Sequence, residues 1–167
     1  MPKFELRSPT IAQTHLILRF IKELAEYEQL SHECFITEES LRDSLFCEKP
    51  HAESLLAFLD EKPIGFCLYF FNYSTFLGKP GLYLEDLYIK PEYRNKGYGR
   101  QILSRLASIA LERDCGRFEW AVLDWNEPSI AFYRKIGAKP MNDWTVQRLT
   151  GQALEDLSRF RKENDDV

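Results

Sequence analysis

Apolar residues recur along the chain at two different spacings, which predict where helices and strands lie. Over Ile11–Leu30 they recur every three or four positions, as on one face of a helix. A second pattern of this kind runs over Gln101–Gly116, with the glycine as the expected helix stop. Shorter helices are predicted over three further segments: residues 37–46, 126–138 and 151–160.

Other segments are short, apolar and rich in aromatic or branched residues, which is typical of strands. We predict strands at residues 3–7, 54–60, 63–71, 82–90, 117–124 and 143–150. A polar turn is expected at residues 60–63 and a loop at 72–81, where glycine and proline interrupt the pattern. The tail at 162–167 is expected to fray. The order predicts an α/β (α+β) fold, a single domain over residues 1–167 with a mixed, mainly antiparallel sheet.

Composition and charge exclude several classes of protein. The 167 residues are 44% hydrophobic and carry a formal net charge of −4, so we expect a packed core and no nucleic-acid partner. The acidic balance is compatible with a small cationic substrate. The N-terminus has no apolar signal segment and no apolar run is long enough for a membrane, so we expect a soluble cytoplasmic protein. Four cysteines and three histidines match no zinc spacing, so we expect no metal.

The octapeptide YRNKGYGR places Gly97 and Gly99 directly before a long helical pattern. The first amides of a helix have no partner inside the helix, and the helix dipole adds positive potential there. Such a helix start binds phosphate, and glycine lets the backbone approach the ligand closely. Three basic residues surround the glycines: Arg94, Lys96 and Arg100. The pattern indicates a diphosphate site, although a tight turn before a helix explains the glycines equally simply.

Two familiar phosphate motifs do not fit this segment. No Gly-Lys-Ser/Thr follows the glycines, so it is not a P-loop. The third glycine and the regular βαβ alternation of a dinucleotide-binding fold are also missing.

The segment RNKGYG, residues 94–99, resembles the signature of the GNAT acetyltransferase superfamily. That signature is Gln or Arg, two residues, Gly, one residue, then Gly or Ala, and every fixed position matches. Four further segments resemble the diamine (spermidine/spermine) acetyltransferases, which include a thialysine branch. They are FELR at 4–7, RFIKELAEYEQL at 19–30, YLED at 83–86 and DWNEPSIAFYRKIGA at 124–138.

The resemblance implies a GNAT fold whose fourth and fifth strands splay apart to admit acetyl-CoA. It places the pantetheine arm against the backbone of Leu87 and Ile89. It places the donor's pyrophosphate on the backbone amides of residues 94–99. The expected donor contacts in this segment are Arg94, Asn95, Lys96, Gly97, Tyr98, Gly99 and Arg100. Asn126, Tyr133 and Arg134 are further expected contacts of acetyl-CoA. It also implies a homodimer. Members of the family often exchange a C-terminal strand between subunits, and residues 143–150 would be that strand here.

Acetyl transfer to an amine requires a neutral amine, a stabilised oxyanion and a thiolate that can leave. The resemblance assigns Tyr133 as the acid for that thiolate. Without the resemblance, the simpler interpretation is that Tyr133 is an aromatic residue of the hydrophobic core. Asn126 could serve only as a helix cap, and Arg134 could simply be solvated.

The resemblance also implies that Glu28, Glu85 and Asp86 bind the amine, with Glu85 relaying a proton through water. Adjacent residues of a strand point to opposite faces, so only one of Glu85 and Asp86 should face the cleft unless a bulge intervenes. Both could instead be surface charges. Ser74 and Phe76 replace the aspartate and tryptophan of the spermidine/spermine enzymes, which makes a shorter diamine or a thialysine-like amine a serious competitor to a long polyamine.

Three alternatives remain at this point. The chain could be a GNAT enzyme acting on an amino-acid or peptide amine. It could be a non-catalytic acyl-CoA-binding module, which would share the glycine segment without needing Tyr133. It could also be a phosphate-binding protein unrelated to CoA.

Overall fold

A computed structural model describes residues 2–160 of the chain. Five strands form one sheet: Phe4–Arg7 (β1), Glu53–Leu59 (β2), Lys62–Ser74 (β3), Lys79–Ile89 (β4) and Arg117–Trp120 (β5). The α-helices are Thr14–Tyr27 (α1), Glu38–Leu45 (α2), Tyr98–Glu112 (α3), Glu127–Lys135 (α4) and Gly151–Arg159 (α5). Three short 3₁₀ turns lie at Ile11–Gln13, Ser31–Glu33 and Pro91–Tyr93.

The strands lie in sequence order across the sheet, β1-β2-β3-β4-β5. The first four strands pair antiparallel, whereas β4 and β5 pair parallel. A parallel pair needs a crossover connection, and α3 supplies it. The mixed, mainly antiparallel sheet predicted from the sequence is therefore confirmed.

Helix α1 packs its apolar face against the sheet. Phe20 is fully buried and its ring stacks on that of Phe66 from β3, with 6.0 Å between the centroids. Ile17 and Leu56 belong to the same buried cluster. Burial of each such side chain stabilises the fold by about 2 kcal/mol. This packing fixes the last turn of α1 beside the end of β4, where the candidate site lies.

The chain divides into two units between Ala121 and Val122. The first unit contains the whole sheet with α1, α2 and α3. The second contains α4 and α5. The expectation of a single domain over residues 1–167 stays a prediction.

Most predicted elements are confirmed, but the segment at 72–81 is not a loop. Strands β3 and β4 continue through it, and only the four residues 75–78 form the turn. The turn between β2 and β3 is also shorter than predicted, because Asp60 and Glu61 both adopt positive φ angles. A two-residue turn of this kind matches the twist of a hairpin, so pairing begins at once.

The end of α3 also differs from the prediction. The helix ends before Gly116, with Asp114 at φ 53° and the Cys115 amide donating to the Ala110 carbonyl. Aspartate tolerates this left-handed conformation better than most residues, so it closes the helix. The Gly116 amide instead donates to the carbonyl of Pro80.

One strand prediction toward the C-terminus is confirmed with a different end, and another is wrong for the single chain. Strand β5 stops at Trp120 rather than at residue 124, and residues 143–150 form no strand. Trp144 and Val146 are 75% and 85% exposed. A strand needs a neighbour to pair its backbone groups, and within residues 2–160 none pairs with this segment. The prediction for residues 162–167 lies outside the described residues.

Candidate active site

The segment with the two glycines begins helix α3 and leaves a run of backbone amides unpaired. The first α3 hydrogen bond is donated by the Gln101 amide to the Gly97 carbonyl, at 3.1 Å. Within residues 2–160, no hydrogen bond is found from the amides of residues 95–100. Such a row of amides at a helix start attracts an anion. The arrangement fits the diphosphate predicted from the sequence.

The two glycines of this segment serve different purposes. Gly97 is the N-cap of α3 with φ 84°, a conformation that side chains disfavour. Gly99 lies in the first turn of the helix and needs no special φ. A Cβ atom at either position would meet no atom within 4 Å. Both therefore face open space that a ligand could enter.

The side chains of the predicted phosphate site are only partly available. Lys96 donates from Nζ to the Glu92 carbonyl at 3.0 Å, and the Tyr98 ring stacks on Phe4 at 4.8 Å. Arg94 Nε donates to the carbonyl of Ile89 at 2.8 Å. Asn95 and Arg100 are exposed.

Strand β4 is longer than its neighbour, and this creates a free edge. Pairing with β5 ends at Leu84 and Trp120, whereas β4 continues for five more residues. The Lys90 amide donates to the carbonyl of Ile64, so the alternate backbone groups, those of Leu87 and Ile89, point to the other edge. Both residues predicted to contact pantetheine thus present their backbone at the gap beside β5.

A β-bulge separates the two adjacent carboxylates of β4. Leu84 pairs with Tyr69 and Asp86 with Leu68, so Glu85 is the extra residue. The Glu85 side chain is exposed, whereas Asp86 is half-buried. A bulge changes the direction in which neighbouring side chains point. Under this condition both adjacent carboxylates could face the same cleft.

An open pocket lies between α1 and β4, and its lining is partly acidic. The residues that line it are Ile21, Leu24, Ala25, Glu28, Leu30, Glu33, Cys34 and Asp86. Burial, together with the nearby charges of Glu85 and Glu28, raises the pKa of Asp86 to about 6. Burial also raises the pKa of Glu28. Two partly buried carboxylates favour a cationic ligand, because a nearby positive charge stabilises their ionised forms.

The second unit contains the other predicted site residues. Asn126 is the N-cap of α4, and its Oδ1 accepts a hydrogen bond from the Ser129 amide at 3.4 Å. Tyr133 is half-buried with its ring 5.6 Å from that of Phe132, and Arg134 is exposed in the last turn. The capping role of Asn126 is confirmed. The roles of Tyr133 and Arg134 stay predictions.

Sequence reasoning missed three features of this site. It did not find Glu33 and Cys34 in the acidic pocket, because they lie in and directly after a short 3₁₀ turn that has no periodic apolar pattern. It mentioned a bulge only as the condition under which Glu85 and Asp86 could both face the cleft. It also did not foresee that the Arg94 guanidinium contacts β4 and α1. None of these follows from hydrophobic periodicity.

No group of three or more His, Cys, Asp or Glu residues within 2–160 could hold a metal ion. No helix in the same part of the chain is both long and apolar enough to cross a membrane.

Comparison with known proteins identifies the family. The model of the Acetyltransferase (GNAT) family matches residues 21–138. The thialysine N-epsilon-acetyltransferase of Sus scrofa is 41% identical over 153 residues, covering 85% of this chain and 89% of the relative. The human spermidine/spermine N(1)-acetyltransferase-like protein 1 is 32% identical over 168 residues, which are 95% of this chain and 24% of that protein.

A solved structure supports the fold assignment. The integron cassette protein from the mobile metagenome of V. cholerae superimposes with a TM-score of 0.77 at 24% identity, covering 94% of this chain and 98% of the other. At this identity the likeness concerns the fold alone. The family match extends over most of the sheet and both glycines of the α3 segment, and so the chain belongs to the GNAT family of acetyltransferases.

Proposed function

We propose that this protein transfers an acetyl group from acetyl-CoA to a primary amine of a small cationic substrate, either a diamine or a thialysine-like amino acid. One observation carries the proposal. The unpaired amides of residues 95–100 lie where β4 ends and α3 begins, and the acidic pocket at Asp86 borders the same strand. An anion-binding and a cation-binding feature therefore adjoin β4 within the first unit.

The donor's contacts are proposed from the first unit. The amides of residues 95–100 bind its phosphates, and the backbone of Leu87 and Ile89 binds its pantetheine amides. When bound, acetyl-CoA supplies the acetyl group as a thioester. The open space beside Gly97 and Gly99 supports this assignment, since side chains there would crowd the phosphates.

The amine is bound by the carboxylates of the acidic pocket. Asp86 and Glu28 hold the ammonium form, which must lose a proton before it attacks. With a pKa of about 6, Asp86 is a better proton acceptor than an ordinary carboxylate, yet it remains mostly ionised at neutral pH. Glu85 is exposed at the bulge, which supports its proposed role as a relay to solvent water.

Further parts of the proposal rest on the resemblance and the relatives. Tyr133 donates a proton to the departing thiolate, and Asn126 and Arg134 contact the donor. The protein acts as a cytoplasmic homodimer and uses no metal. The relative named for thialysine supports the shorter substrate, as does the replacement of an acid by Ser74 at the end of β3.

A panel of amines tests the proposal. Purified protein with acetyl-CoA is assayed against spermidine, putrescine, thialysine, lysine, ornithine and a lysine-containing peptide. We expect turnover of thialysine or a short diamine well above that of spermidine or the peptide. Turnover of the peptide alone would refute the small-amine assignment.

Thermal unfolding with ligand separates enzyme from other phosphate binders. Acetyl-CoA at 100 times its Kd should stabilise the fold by about 2.7 kcal/mol. A shift with another nucleotide and none with acetyl-CoA or CoA would refute the donor.

A further inference from the structure

Arg94 is the first residue of the glycine-containing segment, but its side chain turns back onto β4 and α1. Its Nε donates to the carbonyl of Ile89 at 2.8 Å. The guanidinium carbon lies 4.4 Å from the ring centroid of Tyr27 and 5.4 Å from that of Tyr88. One planar cation thus contacts the last residue of α1 and two residues of β4.

The carbonyl that accepts this bond lies on the free edge of β4. The Lys90 amide pairs with Ile64 on β3, and the backbone groups of Ile89 therefore point away from β3. Arg94 consequently connects the start of the phosphate-binding segment to the edge proposed for pantetheine. A carbonyl oxygen has two lone pairs, so this bond does not exclude a second donor.

A second contact joins the same helix to the same strand. Glu23 Oε1 of α1 lies 3.8 Å from Nζ of Lys90, the residue directly after β4. With the Arg94–Tyr27 contact, the last two turns of α1 are held to the end of β4 at two points. The residue directly after Tyr27 is Glu28, which lines the acidic pocket together with Asp86.

The geometry points to Arg94 as a positioning residue that sets the spacing between the phosphate-binding amides and the acidic amine pocket, and not as a phosphate ligand. It acts through its hydrogen bond to Ile89 and its stacking on Tyr27. The inference rests on the proposed function, because it assigns the amine to that pocket.

The two possible roles of Arg94 require different properties of its side chain. A phosphate ligand needs a positive charge, which Arg94→Lys retains. The positioning role needs a planar group that donates a hydrogen bond to Ile89 and stacks on Tyr27. Arg94→Gln retains a planar N–H donor without charge, whereas Arg94→Lys loses the planar group.

The experiment compares these two variants by calorimetry and kinetics. Binding of CoA is measured at two salt concentrations, and KM is measured for the best amine of the wild-type panel. We expect Arg94→Lys to raise the amine KM about tenfold. Arg94→Gln should stay within about threefold of wild type in both amine KM and CoA Kd, with an unchanged salt dependence.

Two arginines of α3 provide controls. Arg100 is exposed in the first turn and proposed to bind phosphate, so Arg100→Gln should weaken CoA binding and reduce its salt dependence, whereas Arg100→Lys should not. Arg105 pairs with Glu112 instead, so both substitutions of Arg105 should leave binding and kinetics unchanged.

The inference would be overturned if Arg94→Lys behaved like the wild type while Arg94→Gln bound CoA weakly and with a reduced salt dependence. If Arg94→Lys does not fold, Tyr27 gives a second test. Tyr27→Phe keeps the ring, so it should raise the amine KM much less than Tyr27→Leu, which should raise it severalfold. Equal kinetics for the two Tyr27 variants would overturn the inference. Failure of the proposed function would instead appear in the wild-type protein, as no CoA binding and no acetylation.

Discussion

Asp86 and Glu28 line the same pocket, although Asp86 belongs to β4 and Glu28 follows the last turn of α1. Burial and the charge of Glu28 both raise the pKa of Asp86. The folded protein therefore holds a carboxylate that would ionise more easily in the unfolded chain. A bound cation stabilises the ionised carboxylates and so offsets the cost of ionising them in this pocket. An amine-binding site requires this property.

Replacing Asp86 by Asn should make the protein more stable and a poorer enzyme. Because the folded-state pKa of about 6 exceeds the unfolded value, ionisation destabilises the wild-type fold as pH rises through 6. At pH 8 the variant should gain about 2 kcal/mol in the free energy of unfolding, and below pH 4 the gain should vanish. Urea unfolding at both pH values measures this.

The matched control for this prediction is the exposed Asp143, where the change to Asn should alter stability by less than about 0.5 kcal/mol at either pH. The amine KM of Asp86→Asn should rise while the acetyl-CoA Kd stays unchanged. A gain in stability that persists at pH 4 would contradict the assignment to ionisation.

Alanine at Gly97 and at Gly99 should separate backbone strain from ligand binding. Gly97→Ala places a side chain at φ 84° and should lower the free energy of unfolding by about 1 kcal/mol. Gly99→Ala lies in helical backbone and should not lower it. Both variants should weaken acetyl-CoA binding, measured by calorimetry, because each Cβ enters the space proposed for phosphate. Unaltered binding in both would place the diphosphate elsewhere.

Gly65 should tolerate no side chain, because β3 and β4 approach closely there. A Cβ at this position would lie 2.2 Å from the carbonyl oxygen of Tyr88 and 2.8 Å from Cδ1 of Ile89. Gly65→Ala should therefore lower the free energy of unfolding by about 3 kcal/mol, measured by urea denaturation. Gly99→Ala is the matched control, since its Cβ meets no atom within 4 Å. Equal stability of the two variants would contradict the packing of these strands.

Replacing Tyr133 by Phe tests the proposed acid. Loss of a positioned general acid should lower kcat about 100-fold while the acetyl-CoA Kd stays within about threefold. The loss should be smallest at low pH, where solvent can protonate the thiolate. Tyr73→Phe is the control, because Tyr73 is 61% exposed near the β3–β4 turn and should leave kcat unchanged. A fully active Tyr133→Phe enzyme would remove this residue from the mechanism.

The sequence alone determined the elements whose signals are local. Helical periodicity and capping residues identified α1 to α5, with Asn126 at the start of α4. The glycine pair at 97 and 99 marked the start of α3, because unpaired amides at a helix start depend only on neighbouring residues. The activity was predicted from the resemblance of RNKGYG and of residues 124–138 to a known family.

Only the tertiary structure decided which distant groups meet. The pocket of Glu28 and Asp86, the early end of β4–β5 pairing and the contacts of Arg94 with Ile89 and Tyr27 all join segments far apart in the chain. The bulge at Glu85 depends on how β4 pairs with β3, and the spacing of apolar residues along the chain does not reveal that pairing. The segment at 143–150 has the composition of a strand yet forms none in the single chain, because a strand exists only with a partner for its backbone.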